Sequence, residues 1–526
     1  MLDWIIGLLA LIASVVAVLL LLRLAFPLPR AVRDTPGAPA PELRGEMCSQ
    51  VSTLGEGKDG QTGVLLLRDP VDALAARIAH VRAASCVIDA QYYIWKGDLS
   101  GRMLLAELVR AARRGVRVRV LIDDVATLRL DAMWAAAAAV PNFEVRLFNP
   151  LTIRKPRPLG WLINPLRLNR RMHNKTMTFD GAVSVVGGRN IGDEYFGARE
   201  KGLFIDLDAL LVGGVVSEIA EDFDRYWHSV SSFPAQQLLP PASEEDIAAI
   251  AEPVHANAAL AAEYGEAIAA VQEGTLAWHA GERLVWARVQ LFSDNPAKAL
   301  DRSKRGDLVA VRILPILRGA DERLDLVSGY FVPERFGVKL LSSLARAGVA
   351  VRVVTNSALV TDKRFVHAAY VPYRRPLLRA GVKLFEVRPR DRRRRPLRER
   401  FGPRGPAEMG RTRFSGGGES VHAKTFSVDG RYLFVGSFNF DPRSALLNCE
   451  IGFIVDSPML AEEMNATLDR QVSEAAYAVR LGKLGKLRWV HDEGEDATVY
   501  ETEPGTTISD RLWVLAYRLL PLEWLL

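Results

Sequence analysis

Two short stretches of the chain share one spacing of a histidine, a lysine and an aspartate. The spacing is H-x-K-x4-D, and the two copies comprise His173, Lys175 and Asp180 in the first and His422, Lys424 and Asp429 in the second. On a strand, residues two apart point to the same face, so each histidine lies beside its lysine. This pair suits a phosphodiester, because the ammonium holds the anion while the imidazole attacks phosphorus or carries a proton. Each aspartate precedes a glycine at the predicted strand end, where a carboxylate more often fixes the backbone than takes part in chemistry.

The elements that must position these residues also occur twice. Each copy has a β-rich segment, an amphipathic helix and a second strand, an order that predicts a parallel sheet with crossover helices. Tyr330 of the second copy matches the Tyr92–Tyr93 pair of the first, and Glu450 matches Asp206. A turn of small residues follows each motif, and the polar residues of these turns are Asn190, Ser437 and Asn439. We infer an internal duplication that forms two α/β lobes.

The pattern divides the chain into five segments. They are a membrane anchor with a Pro-rich spacer (1–44), a first lobe (45–235), a helical connecting segment (236–305), a second lobe (306–490) and a C-terminal tail (491–526). The connecting segment is Ala-rich and carries no evident chemistry. The tail contains Trp513 and Trp524 and is interrupted by Pro521, which favours an interfacial membrane helix over a buried docking helix.

The N-terminal run from Trp4 to Leu22 is uncharged and long enough to cross a bilayer. A cleaved signal peptide is the alternative, but no lysine or arginine precedes the run and no convincing cleavage site follows it. Arginines flank its C-terminal side, beginning with Arg23. The run is therefore predicted to be a single-pass anchor. The positive-inside rule then predicts that the body of the protein lies in the cytoplasm.

The overall composition favours an anionic partner and gives no sign of a metal or cofactor. The net charge of +6 suits either nucleic acid or an acidic lipid surface. The three cysteines are scattered, without metal-ligand spacing or a disulfide framework. Neither a phosphate-binding Walker loop nor a Gly-rich dinucleotide turn is present.

Two basic segments precede the two motifs. The first surrounds Trp161 with arginines that include Arg154, Arg170 and Arg171, a composition suited to an anionic membrane interface. Its alternative is a solvated loop whose tryptophan packs on the domain. The second, residues 387–418, is Arg-rich and ends in glycines. It fits a disordered solvated loop and equally a mobile contact with lipid headgroups.

Several phrases of the chain resemble the phospholipase D superfamily, and within it bacterial cardiolipin synthases of the type C branch. The phrases are DAQYYIW, ARRGVRVRVLIDD, RLNRRMHNK, VVGGRNIGDEYF, VTNSALVTD and FVGSFNFDPRSALLNCEIG. The resemblance runs from about Leu65 to about Arg480. It implies an α/β fold of two pseudo-symmetric α/β/α lobes with one active site at their junction, without a metal.

The resemblance also implies roles for the site residues. His173 is the expected nucleophile and His422 the acid and base, while Asp206 and Glu450 are the carboxylates expected behind the histidines, with Asp208 less suitable. The groups expected to bind the phosphate oxygens are Lys175, Lys424, Asn190, Asn439 and Ser437. Asp180 and Asp429 are motif members that we expect to be structural supports.

The expected reaction is phosphatidyl transfer to phosphatidylglycerol, which forms cardiolipin at the bacterial inner membrane. Phosphatidylethanolamine, which the type C resemblance suggests, and a second phosphatidylglycerol both remain open as the donor. A lipid-hydrolysing phospholipase D would use the same residues with water as acceptor. A membrane-tethered nuclease and a non-enzymatic lipid-binding scaffold are further alternatives, although no aromatic-basic platform for nucleic acid is evident and both motifs are intact.

Overall fold

The computed structural model describes residues 2–29, 45–127, 129–197, 204–250, 264–269, 284–389, 420–492 and 497–519. Four predicted features lie partly or wholly outside these ranges. They are the Pro-rich spacer, residues 251–263 and 270–283 of the helical connecting segment, the Arg-rich stretch before the second motif and the end of the tail beyond residue 519.

The early strands of each lobe alternate with helices in the order that the sequence predicts, and the motif strands are followed directly by further strands. The strands are β1 (Thr62–Leu67), β2 (Val87–Tyr92), β3 (Arg117–Asp123), β4 (Phe143–Phe148), β5 (Thr176–Phe179), β6 (Val183–Gly187), β7 (Phe204–Ile205), β8 (Asp208–Val212), β9 (Ser232–Pro234), β10 (Val285–Ser293), β11 (Arg323–Ser328), β12 (Ala350–Asn356), β13 (Lys383–Val387), β14 (Ser420–Val421), β15 (Lys424–Val428), β16 (Tyr432–Gly436), β17 (Ile451–Asp456), β18 (Ala476–Leu481), β19 (Leu487–Asp492) and β20 (Ala497–Tyr500).

The helices cover both faces of the sheet and extend to the two ends of the described chain. They are α1 (Leu2–Ala25), α2 (Glu46–Leu54), α3 (Pro70–Ala83), α4 (Leu99–Arg113), α5 (Asp131–Ala138), α6 (Arg157–Ile163), α7 (Pro165–Leu168), α8 (Asp193–Phe196), α9 (Val216–Trp227), α10 (Glu244–Ala249), α11 (264–269), α12 (Val309–Arg312), α13 (Leu314–Arg318), α14 (Glu334–Arg346), α15 (Arg364–Tyr370), α16 (Arg374–Arg379), α17 (Pro442–Leu446), α18 (Pro458–Ala475) and α19 (Ile508–Leu519).

The two lobes have the same strand order. In the first, the strands lie side by side as β4-β3-β2-β5-β6-β8-β1, and in the second as β13-β12-β11-β15-β16-β17-β10. The sheets are mixed rather than parallel throughout. The three strands of each crossover unit are parallel, but β5 and β15 run antiparallel to β2 and β11. The motif strand therefore enters from the opposite end, after the long connection that follows β4 or β13.

The two sheets join at β10. Its first residues pair with β1, setting Val285 opposite Val64, and its remainder pairs with β17 from Arg288 to Ser293. Side chains of both lobes also share one buried core, in which Val186 and Leu211 lie with Phe453. Residues 285–293 were predicted as part of a helical connection, and this part of the prediction is wrong. Six of the nine side chains are partly or fully exposed, so the segment lacks the run of buried apolar residues that identifies a core strand from sequence.

The strand register corrects one predicted correspondence between the lobes. Gln91 and Val327 each lie opposite the threonine that follows the motif lysine. Counting three residues on, Tyr330 corresponds to Ile94 rather than to the Tyr92–Tyr93 pair. A one-residue slip in a strand exchanges its two faces, so this difference changes which side chain faces the site.

The two motif aspartates hold the strand beside their own. Each has positive φ, 48° at Asp180 and 51° at Asp429, at the turn after the motif strand. The Asp180 carboxylate accepts backbone N–H bonds from residues 85–87 at 2.8–2.9 Å. The Asp429 carboxylate accepts the same three from residues 321–323 at 2.8–3.0 Å. Both side chains thus fix the start of the central strand, β2 or β11, against the motif strand.

Replacing Asp180 by alanine is expected to lower the free energy of unfolding by about 2–4 kcal/mol, because three N–H groups lose a charged acceptor in a buried place. Asp429→Ala should cost less, since water reaches its partly exposed turn. Thermal unfolding of the detergent-solubilised chain measures both. Asp59→Ala, at an exposed position, is the control. A destabilisation by Asp180→Ala no larger than that of the control would contradict the supporting role.

Candidate active site

The two motifs meet at the junction of the lobes through backbone contacts that cross it. The His173 N–H donates to the carbonyl of Cys449 at 2.8 Å, and the His422 N–H donates to the carbonyl of Ile205 at 2.8 Å. The backbone of each histidine is therefore hydrogen-bonded to the residue of the opposite lobe that directly precedes a carboxylate, Glu450 in the first case and Asp206 in the second. In the second case the contact is a short parallel pairing of β14 with β7.

The side chains repeat this crossed arrangement. His173 Nδ1 lies 2.9 Å from Glu450 Oε2, and His422 Nδ1 lies 2.5 Å from Asp206 Oδ2. With Nδ1 engaged, the reactive nitrogen of each ring is Nε2. The sequence identified both carboxylates by their matched positions. It did not reveal that each serves the histidine of the other lobe, because either pairing fits the same repeat.

Both motif lysines are buried beside their histidines. Lys175 Nζ donates to the His173 carbonyl at 2.5 Å. Lys424 Nζ donates to the His422 carbonyl and lies 2.9 Å from His422 Nδ1. Burial lowers the pKa of Lys175 well below its usual value, and the charge of Lys424 adds to this effect. Burial likewise lowers the pKa of Lys424, against the opposing charges of Asp206 and Glu450. An anion placed between the two ammonium groups would relieve their repulsion and stabilise both in the charged form.

The two histidine–carboxylate pairs differ electrostatically. Burial, followed by the charges of Lys175 and Lys424, lowers the pKa of His173 well below its usual value, while burial raises the pKa of Glu450. Burial also lowers the pKa of His422, but here Asp206 opposes the shift. Although burial acts to raise it, the pKa of Asp206 is lowered by Lys424 and His422. Asp206 is thus the more firmly ionised partner.

The predicted phosphate-binding turn residues are buried behind the histidines. The Asn190 side chain accepts from the Ile94 N–H at 3.1 Å and donates to the Tyr195 hydroxyl at 2.9 Å. The Ser437 hydroxyl donates to Glu450, so it supports the carboxylate instead of pointing to a substrate. The backbone N–H of Asn439 donates to the Ser444 hydroxyl at 3.2 Å.

A tyrosine ring lies edge-on against each histidine. The ring centroids of Tyr93 and His173 are 5.0 Å apart, and those of Tyr195 and His422 are 5.2 Å apart. Tyr195 was missed from the sequence, where its only signal is its place five residues after Asn190. Since Tyr93 and Tyr195 both come from the first lobe, the repeat gives no matching pair to notice. The rings restrict the rotation of both imidazoles.

The arginines predicted to contact lipid are used inside the protein, which corrects that prediction. Arg171 is buried against Asp123 at 2.9 Å. Arg154 pairs with Asp124 at 2.8 Å and also with a second carboxylate. Arg170 pairs with Asp301 at 2.7 Å and donates to the backbone carbonyls of Lys298 and Leu446. The carboxylates that neutralise these arginines are distant in sequence. The sequence of the segment alone therefore indicated an exposed basic loop.

Apolar side chains of the same segment do reach the surface. Trp161 is 36% exposed, Leu162 is 60% exposed and Leu166 is 77% exposed. Helix α6, which carries the first two, contacts α1, and α1 has the length and composition of a bilayer-spanning helix. Within the described ranges, no group of three or more His, Cys, Asp or Glu side chains is arranged to hold a metal ion.

Comparison with known proteins identifies the family. The family model described as cardiolipin synthase, PLD-like domain, matches residues 78–227 and 313–472, one copy in each lobe. Cardiolipin synthase C of Escherichia coli K12 is 42% identical over 488 residues, which cover 91% of this chain and 99% of that protein. A cardiolipin synthase of Geobacillus kaustophilus is 26% identical, covering 82% of this chain and 70% of the relative.

Among solved structures, phosphatidylserine synthase of Haemophilus influenzae matches with a TM-score of 0.56 and 14% identity, covering 91% of this chain and all of that one. This likeness shows a shared fold. The sequence-based resemblance and the predicted α/β fold of two duplicated lobes are thereby confirmed. The chain belongs to the cardiolipin synthase family of the phospholipase D superfamily, and it is an enzyme of the phosphatidyltransferase kind.

Proposed function

We propose that this protein forms cardiolipin by transferring a phosphatidyl group to phosphatidylglycerol through a phosphohistidine intermediate. The observation that carries the proposal is the pair of oriented imidazoles placed with two buried ammonium groups at the lobe junction. One phosphodiester anion would satisfy both lysines. The cardiolipin product is supported by the 42% identity to a cardiolipin synthase along nearly its whole length.

In the first step, His173 Nε2 attacks the phosphorus of the donor lipid. The bond from phosphorus to the headgroup oxygen breaks, and His422 in its imidazolium form gives that oxygen its proton. The negative charge of the bound diester favours this protonated form of His422. Lys175 and Lys424 stabilise the charge that builds on the non-bridging oxygens, and Asn439 is a further candidate donor to them.

In the second step, the neutral His422 takes the proton of a glycerol hydroxyl on phosphatidylglycerol. The hydroxyl oxygen attacks phosphorus, the phosphorus–nitrogen bond to His173 breaks, and cardiolipin leaves. His173 returns to its neutral form and His422 to its protonated form. Water in place of the glycerol hydroxyl would instead give phosphatidic acid, so the acceptor decides between a synthase and a hydrolase.

The electrostatic difference between the two pairs supports this division of roles. A nucleophile needs a neutral imidazole, and His173, with its strongly lowered pKa, is neutral at physiological pH. A proton carrier benefits from an ionised partner that stabilises the imidazolium, and His422 has the firmly ionised Asp206. We therefore assign His173 as the nucleophile and His422 as the acid and base.

We further propose that the enzyme lies on the cytoplasmic face of the membrane, anchored by α1. Helix α6 contacts the anchor α1, and the exposed Leu162 on α6 and Leu166 on the following α7 would enter the bilayer interface. Helix α19 packs on α15 and leaves Trp513 exposed, which supports a second interfacial contact. The phosphatidyl donor is either phosphatidylethanolamine or a second phosphatidylglycerol.

His173→Ala and His422→Ala should each reduce cardiolipin formation by at least about 100-fold, since each removes one partner of a two-step transfer. Purified full-length enzyme on vesicles of phosphatidylglycerol and phosphatidylethanolamine, followed by lipid mass spectrometry, makes the test. His228→Ala, at an exposed histidine, is the control. Phosphatidic acid without cardiolipin would identify a hydrolase, and DNA cleavage without lipid turnover would identify a nuclease.

Asp206→Asn should shift the pH dependence of kcat. The carboxylate raises the pKa of His422 against burial, so its removal lowers that pKa further. The protonated acid is then lost at lower pH, and the alkaline limb of the profile moves toward acid while kcat falls by about 100-fold. Glu450→Gln, which acts on His173, should leave that limb in place. An unmoved alkaline limb in Asp206→Asn would contradict the pairing.

The double variant Leu162→Ser, Leu166→Ser should raise the apparent KM for lipid at the vesicle surface by roughly tenfold, with kcat unchanged, because two side chains lose their apolar insertion. Kinetics on vesicles in which the mole fraction of substrate lipid is varied against an unreactive lipid provide the measurement. Leu484→Ser, on an almost fully exposed side chain of the second lobe, is the matched control. Equal effects from both variants would count against a specific interfacial role of α6 and α7.

A further inference from the structure

An exposed carboxylate at the second lobe is held by a tyrosine hydroxyl. The Tyr330 O–H donates to both carboxylate oxygens of Asp362, at 2.9 and 2.7 Å. Tyr330 follows β11, and Asp362 lies in the loop between β12 and α15. The tyrosine is half-buried while the aspartate faces solvent. The hydroxyl therefore fixes the direction of a charge that remains open to a ligand.

This pair lies at the rim of the active site. A Cβ atom added to Gly329, the residue before Tyr330, would be 2.2 Å from the Val421 carbonyl oxygen and 3.3 Å from the Cα of His422. Asn356, at the end of β12, donates to the carbonyls of both Gly329 and Val421, at 3.1 and 2.8 Å. The two segments that carry the Tyr330–Asp362 pair are thus locked to the segment that carries His422.

The charge of Asp362 acts on the site itself. It interacts electrostatically with Lys424 and with the hydroxyl of Tyr195, the tyrosine beside His422. A carboxylate this near would repel a phosphodiester anion unless a hydrogen-bond donor lay between them. The first lobe avoids such repulsion, because Asp123 and Asp124 at the end of β3 are neutralised by Arg171 and Arg154. Within the described ranges, Asp362 forms no salt bridge of this kind.

We propose that Asp362, oriented by Tyr330, accepts hydrogen bonds from the headgroup of the lipid substrate and selects headgroups that carry N–H or O–H donors. The inference rests on the proposed function. With the phosphate bound between the two lysines, the headgroup would extend outward past the segment of His422, where the Asp362 carboxylate lies. Two sources supply this chemistry: the ammonium of ethanolamine on a donor lipid and the hydroxyls of glycerol on phosphatidylglycerol.

The test compares Asp362→Asn and Tyr330→Phe with the wild type, using purified full-length enzyme on lipid vesicles. The tested lipid is phosphatidylethanolamine, phosphatidylglycerol or phosphatidylmethanol, the last without any headgroup donor, and its headgroup is isotopically labelled. Each vesicle also contains the same fraction of unlabelled phosphatidylglycerol as acceptor, and the readout is release of the labelled headgroup alcohol. Asp362→Asn should lower kcat/KM at least tenfold for the first or second lipid. On phosphatidylmethanol it should cause no loss and is expected to raise kcat/KM, because that headgroup places no donor between the carboxylate and the phosphate. Tyr330→Phe should act in the same direction with a smaller effect. Glu218→Gln, at an exposed carboxylate on α9, is the matched control.

The pattern among the lipids identifies the source. Loss on phosphatidylethanolamine vesicles alone assigns the ammonium, loss on phosphatidylglycerol vesicles alone assigns the glycerol hydroxyls, and loss on both assigns the shared chemistry. An equal loss on all three lipids, or no loss on any, would overturn headgroup selection by Asp362. A wild-type enzyme that turns over none of them would overturn the proposed function instead, and the inference with it.

Discussion

The arrangement on which the rest of the structure depends is the exchange of carboxylates between the lobes. Glu450 orients the histidine of the first lobe and Asp206 orients the histidine of the second. Neither lobe alone therefore contains a complete histidine–carboxylate pair. The joining of the sheets through β10 and the shared core beneath it hold the two halves in the register that this exchange requires. Duplication in this chain has produced one active site, and each lobe supplies half of its residues.

The same junction concentrates positive charge in a buried place. Two lysines and two histidines face one volume, and burial acts against the charged form of each. Two carboxylates offset part of this cost, and a bound phosphodiester would offset more. The site is thus suited to an anion that arrives from outside and resides there briefly. The unequal carboxylates, a firmly ionised Asp206 and a Glu450 whose pKa burial raises, turn a nearly symmetric frame into one with two different histidines.

Much of this could be predicted from the sequence, because short motifs and their repetition are local patterns. The H-x-K-x4-D spacing, the duplicated elements and the matched positions of Asp206 and Glu450 all follow from residue order. What could not be read depends on contacts between distant segments. The repeat does not reveal which carboxylate pairs with which histidine, because a pairing within each lobe and a pairing between the lobes fit it equally well. Arg171 looks like a surface cation until Asp123 is seen beside it, and the strand at 285–293 shows its pairing only when β1 and β17 flank it.

The exchange of carboxylates is open to direct measurement by nitrogen NMR of the ring nitrogens in histidine-labelled, full-length protein. If each carboxylate binds the histidine of the other lobe, Asp206→Asn shifts the Nδ1 and Nε2 resonances of His422 and leaves those of His173 nearly unchanged, whereas Glu450→Gln does the reverse. Each assignment follows from the spectrum of the corresponding histidine variant. If Asp206→Asn instead shifted the resonances of His173 while those of His422 stayed unchanged, each lobe would complete its own histidine–carboxylate pair and the exchange between the lobes would be disproved.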